Sequence, residues 1–268
     1  MPNHPEVGEL KRMYVFVTGW LLATVIIYFF GQGNHVFLLY ASNIISPSSA
    51  FLPALYGLML VRRYASNLKD RFARIWVYLT AGLFVWLLGE ITWTVYALAL
   101  SVTVPYPSIA DLFWIAGYFP LAFALYRYLV PFKEALPLKK ILTATGIGLL
   151  ADLGVFAILI GPILTIETEP VAQVFDLAYP FLDMMLLGMS IAGMLMFFPG
   201  RISRFWVWLN LGFILIVIAD LLFSYSTALG FYYEGHPIDL LYYFGDLFIL
   251  LSLYEHTRIL EGDWGRKL

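Results

Sequence analysis

Eight carboxylic acids stand inside or at the edge of long apolar runs: Glu90, Asp111, Asp152, Asp176, Asp183, Asp220, Asp239 and Asp246. No Lys or Arg occurs between Ile75 and Tyr126, between Ile141 and Gly200, or between Phe205 and Thr257, so ion pairing at the same depth is closed to them. An ionised acid at the centre of a bilayer costs about 3 kcal/mol. Left unpaired, the set would cost more than the net stability of a small domain. Each acid is therefore expected at the rim, protonated, hydrogen-bonded, or neutralised by a bound cation. Three chemistries suit such groups: binding a cationic or polyhydroxylated small ligand, conducting a proton or ion, or locking helices together through hydrogen bonds.

Spacing sorts the acids. In PYPSIAD, Ser108 is placed as a helix N-cap with Asp111 at N3, a capping-box pattern. In HPID, His236 and Pro237 are placed as N-cap and N1, with Asp239 at N3. A carboxylate there also meets the positive end of the helix dipole, so Ser108, Asp111 and Asp239 are assigned to helix capping. Glu90 and Asp220 are different. Each lies mid-helix, about 21 Å along the axis from Trp76 or Trp206 at 1.5 Å per residue. Trp86, Glu90, Trp93 and Ala97 recur at helical spacing and share a face, as do Ile216, Asp220, Phe223 and Thr227. Asp176, Pro180 and Asp183 make a third stripe, and Asp239, Tyr242, Tyr243 and Asp246 a fourth. Together these stripes predict an outward cavity lined by Glu90, Asp183, Asp220 and Asp246 and by Trp86, Trp93, Tyr242 and Tyr243. Aromatic faces add cation–π attraction to the charge of the acids. The alternative reading of the same stripes is interhelical hydrogen bonding that only fixes packing, at around 1 kcal/mol per contact.

The elements that must carry these residues are membrane helices. Of 268 residues, 61% are hydrophobic and only 13% charged, far beyond the apolar content of a soluble domain. About 20 apolar residues cross a hydrocarbon core. Eight stretches reach that length, at about 13–31, 41–62, 75–101, 108–130, 140–164, 171–198, 204–229 and 237–257. The first is too long, and lacks the small-residue cleavage site, for a signal peptide. Lys and Arg fall in alternate loops, including Arg62, Arg63, Lys69, Arg71, Arg74, Lys133, Lys139, Lys140, Arg201 and Arg204. The positive-inside rule then places both termini in the cytoplasm.

An internal repeat is visible at an offset of 130. RFARIWVYLTAG from Arg71 lies over RISRFWVWLNLG from Arg201, so that Glu90 falls on Asp220 and Trp93 on Phe223. After a two-residue slip, Asp111 and Gly117 fall on Asp239 and Gly245. The expected fold is an all-α polytopic bundle of two parallel four-helix repeats, 1–135 and 136–268, forming one integral membrane domain in the cell membrane.

Catalytic signals are missing. Zero cysteines exclude thiol catalysis, disulfides and cysteine-ligated metal. No mid-span lysine offers a Schiff base, and no His-Glu-x-x-His helix, Gly-x-Ser-x-Gly elbow or P-loop occurs. The four histidines, His4, His35, His236 and His256, have no haem-binding spacing. The chain is not expected to be an enzyme or to bind metal or nucleic acid, and no cofactor is assigned.

The segment GEITWTVYALALSVTVPYPSIADLFWIAGYFPLAFAL resembles the multi-helix membrane sensor regions that precede diguanylate cyclase (GGDEF), PAS or histidine-kinase modules in prokaryotic signalling proteins. The matching residues are Glu90, Pro105, Pro107, Ser108, Ala110, Asp111 and Gly117, and LAYPFLD from Leu177 to Asp183 is similar to a second recurring piece. About ten residues follow the eighth span, and no output module is among them. The resemblance implies a membrane-embedded sensor relaying to a cytoplasmic signalling partner. A transporter of a small molecule, cation or proton, and a structural subunit of a membrane complex, are the alternatives.

Overall fold

The computed structural model describes residues 5–64, 71–135, 146, 169–198, 200 and 202–264. Seven long helices account for most of them: α1 (Pro5–Gly31), α2 (His35–Tyr64), α3 (Arg71–Thr94), α4 (Ile109–Leu129), α5 (Pro170–Phe197), α6 (Ser203–Ala228) and α7 (Asp239–Trp264). No strand occurs among the described residues. Apart from residue 146, the expected span at 140–164, with Asp152, lies outside them.

Local chemistry sets the ends. Gly33, at φ +85°, turns the chain after α1 in a conformation that L side chains resist. The side chain of Asn34 then accepts from the Phe37 amide at 3.0 Å, an N-cap that starts α2 at His35 rather than at the expected position 41. The third helix ends earlier than position 101, because the last turn after Thr94 widens into a π-turn over Val95–Ala99. Ser108 caps α4 through the full capping box with Asp111.

Six of the helices, α1 to α6, are long and apolar enough to cross a membrane. The seventh, α7, has 26 residues but carries Asp246, Glu255 and His256. Its position explains why that is tolerated. Helix α7 packs against α1, α2 and α6, and Leu247, Ile249, Leu250, Leu251, Ser252 and Leu253 are all buried. Exposed apolar side chains are carried by other helices as well, with Phe30 of α1 79% and Phe181 of α5 73% exposed.

The helices close a ring. In order around it, α2 touches α3, α3 touches α4, α4 touches α5, α5 touches α6, α6 touches α7, and α7 returns to α2. Helix α1 lies outside, fastened to α7 and α2 by Tyr14 donating to Glu255 at 2.8 Å and Trp20 donating to Ser49 at 3.1 Å.

Two seams of the ring are tight because glycines face each other. A methyl on Gly82 of α3 would lie 2.5 Å from Leu121 and 3.0 Å from the Gly117 carbonyl of α4. A methyl on Gly212 of α6 would lie 2.9 Å from Ile249 and 3.0 Å from the Gly245 carbonyl of α7. Small residues let helix backbones approach where hydrophobic driving force is absent. Trp86 lies against Gly117, and Ile216 against Gly245.

One end of the ring is packed solid. Trp76 and Trp206 are fully buried there. Trp206 stacks on Phe197 at 5.8 Å and fills the space beside Gly193, while His256 meets Trp76 and Phe205 edge-on and shares a 2.9 Å hydrogen bond with Tyr128. The opposite end is hollow.

Candidate functional site

A cavity of about 140 Å³ opens at the hollow end. Its walls come from α2, α3, α4, α6 and α7, with smaller pieces from α5 and from the two loops at that end. Seven of the eight expected ligand-binding residues line it: Glu90, Asp220, Asp246, Trp86, Trp93, Tyr242 and Tyr243. Asp183 does not. It lies fully buried one layer deeper, where the Tyr118 hydroxyl donates to it, and it is near enough to Asp220 for the two carboxyls to interact. The second oxygen of Asp183 has no hydrogen-bond partner among the described residues.

The acids at the cavity wall are served by donors from neighbouring helices. Glu90 accepts from the Trp114 indole at 3.0 Å and from the Ser46 hydroxyl. Asp220 accepts from Tyr242 at 2.7 Å. The Glu90–Trp114 bond joins α3 to α4 as the Asp220–Tyr242 bond joins α6 to α7. Asp246 is the exception. It faces the cavity from α7 with Glu90 near enough for their charges to interact, and no hydrogen bond from a described residue reaches it.

The mouth carries more acids. Asp111 binds its own cap, Ser108, and also accepts from Tyr179 at 2.9 Å. At the start of α7, the His236 ring accepts from the Ile238 amide at 3.3 Å, and Asp239 reaches back to the Gly235 amide at 3.1 Å and the Tyr232 hydroxyl at 3.0 Å. Asp176 stands at the rim, where Tyr106 donates to it at 2.6 Å. Ala97 and Thr227, the far members of the two long stripes, are not part of the wall.

Glu234 is the residue that periodicity could not find. It lies in the loop between α6 and α7, yet its carboxylate enters the cavity and accepts from Trp93 at 2.9 Å and Asn43 at 3.0 Å. Burial pushes its carboxyl above the usual range, against the pull of those two hydrogen bonds. Burial likewise lowers the His236 imidazole. Other wall residues carry a signal in the sequence. Asp111, Trp114 and Tyr118 recur at helical spacing on α4, as do Asn43, Ser46 and Ala50 on α2.

The wall is rich in rings. Trp93 lies 5.8 Å from Trp114 and 6.1 Å from Phe223, and Phe223 meets Tyr232 edge-on at 4.7 Å. No Lys, Arg or His lines the cavity. Among the described residues, no group of three or more His, Asp or Glu is disposed to hold a metal ion. The arrangement can hold a small molecule between aromatic faces and carboxylates.

Comparison with protein-family models, with curated proteins and with solved structures finds no match.

Proposed function

We propose that the chain is a multi-pass protein of the cell membrane that binds a small cationic or polyhydroxylated ligand in this cavity and relays its occupancy to a cytoplasmic signalling partner. In the full reading, eight spans form two parallel four-helix repeats, both termini are cytoplasmic, and the cavity opens outward. The observation that carries the proposal is the cavity itself: an acidic and aromatic space with no basic residue in its wall. Protein interiors rarely leave such voids unfilled, and a pocket of apolar walls with a few convergent polar groups is the usual form of a small-molecule site.

Paired contacts support the repeat. Gly82 with Gly117, and Glu90 with Trp114, recur as Gly212 with Gly245 and Asp220 with Tyr242, 130 residues on for the first partner and 128 for the second. The relay has a physical carrier in α7, which runs from Asp246 at the cavity to Glu255 at the packed end. There Glu255 accepts from Tyr14 and lies 3.9 Å from Arg204 and 4.0 Å from Arg258.

Thermal unfolding of the purified protein against a panel of amines, polyamines, sugars and metal ions tests the reading, with Glu90→Gln and Asp220→Asn alongside. A compound at a hundred times its dissociation constant adds about 2.7 kcal/mol. We expect one class to raise the wild-type midpoint and to lose that effect in the variants. If nothing binds and the variants only shift the baseline, the acids are packing bonds and the chain is a structural subunit. Carboxylates without basic partners also favour a cation or proton pathway. Proteoliposomes without substrate- or proton-dependent flux would remove that second reading.

A further inference from the structure

We infer that the cavity takes a small primary or secondary amine in its ammonium form, with Asp246 as the receiving carboxylate and Glu90 and Asp220 beside it. This narrows the ligand-binding reading above and rests on it.

Donors and acceptors in the wall are out of balance. Apart from Ser224, every hydroxyl, indole and amide donor in the wall is already given to a protein acceptor. The indoles go to Glu90, Glu234 and the Trp114 carbonyl. The Tyr118, Tyr179, Tyr232 and Tyr242 hydroxyls each serve a different aspartate. Tyr106 serves Asp176, Tyr243 pairs with Tyr28, and the side chains of Ser42, Asn43 and Ser46 are donated as well. What remains on offer is acceptor capacity, and most of it is on carboxylates. An ionised carboxylate accepts at two oxygens and donates nothing. Asp246, enclosed and lining the cavity, has no hydrogen bond from any described residue.

A ligand that completes this wall must bring donors, bring few acceptors, and carry positive charge. An alkylammonium group is donor-only. A sugar brings as many acceptors as donors, and with its carboxyls ionised the wall has almost nothing left to give them. A quaternary ammonium would satisfy the charge and the rings but has no N–H for Asp246. A divalent ion has no group of three His, Asp or Glu ligands among the described residues. Size agrees: a cavity of roughly 150 Å³ admits a benzene ring, and this one measures about 140 Å³.

The test uses the purified chain Met1–Leu268 in detergent, titrated calorimetrically with benzylammonium, n-butylammonium, tetramethylammonium, benzyl alcohol and myo-inositol. We expect benzylammonium to bind at least tenfold more tightly than benzyl alcohol, its neutral isostere. Asp246→Asn should weaken benzylammonium tenfold or more and leave benzyl alcohol unchanged. If that variant does not fold, the wild-type comparison of the two benzyl probes decides alone. Equal affinity for the benzyl pair, or tightest binding of tetramethylammonium, overturns the ammonium N–H assignment. Binding of myo-inositol without any amine overturns it too, while the ligand-binding reading stands. Binding of no probe overturns both.

Discussion

Glu234 and Glu90 show two ways in which a carboxylate enters a membrane bundle. Glu90 is carried in by its helix, and its place is legible because Trp86 and Trp93 share its face. Glu234 is delivered by a loop that folds back over the hollow end, so no periodicity announces it; only its two hydrogen bonds, from Trp93 and Asn43, show where it lies. Its buried carboxyl is held above the usual carboxylate range. A group raised in this way contributes stability fully below its unfolded value of about 4.3, and that contribution is lost as pH rises through the folded value. We therefore expect the unfolding midpoint of Glu234→Gln to gain on the wild type as pH is raised from about 4 toward 8. A midpoint difference that stays constant across that range would mean that the Glu234 proton plays no part.

At the scale of elements, the glycine seams decide how closely α3 approaches α4 and α6 approaches α7. Adding one methyl at Gly82 or Gly212 forces a backbone or a branched side chain to move, so Gly82→Ala and Gly212→Ala should each cost about 1–3 kcal/mol. Gly188 on α5 is the control, since nothing stands within 4 Å of a methyl placed there. Gly188→Ala should be neutral or stabilising by up to about 1 kcal/mol from helix propensity alone. Denaturant titration in detergent measures all three; a loss at Gly188 equal to that at Gly82 would remove the close-approach argument. The seven described helices were legible in the sequence to within a few residues at most ends, because long apolar runs and caps are local signals. Ring order was not, because outward-facing and core-facing residues are equally apolar here. Asp183 marks the same limit. Helical spacing put it on a stripe with Asp176, but the depth at which Tyr118 covers it is a tertiary fact.

For the whole molecule, the proposed orientation makes the cavity accessible from one side only. The absence of native cysteine gives a clean background for labelling. Thr103, exposed in the loop before α4, shares the hollow end with the cavity, and Ser203 begins α6 at the packed end. In intact cells, Thr103→Cys should react with a membrane-impermeant maleimide, and Ser203→Cys should react only after permeabilisation. The reverse pattern would turn the protein over and make the cavity face the cytoplasm.

The ring is closed by two kinds of seam. Each half of the chain supplies one glycine-tight pair, and the halves meet where α4 touches α5 and where α7 touches α2. Under the repeat reading those two meetings are the same surface used twice, as in an isologous interface about a twofold axis. A chain of half this length would then carry everything needed to close a ring by pairing with itself. On that reading, covalent linkage would free the two halves to differ, as Trp114 opposite Glu90 differs from Tyr242 opposite Asp220. A symmetric dimer must build both walls of its central pocket alike, whereas a fused pair can fit a ligand whose two ends differ.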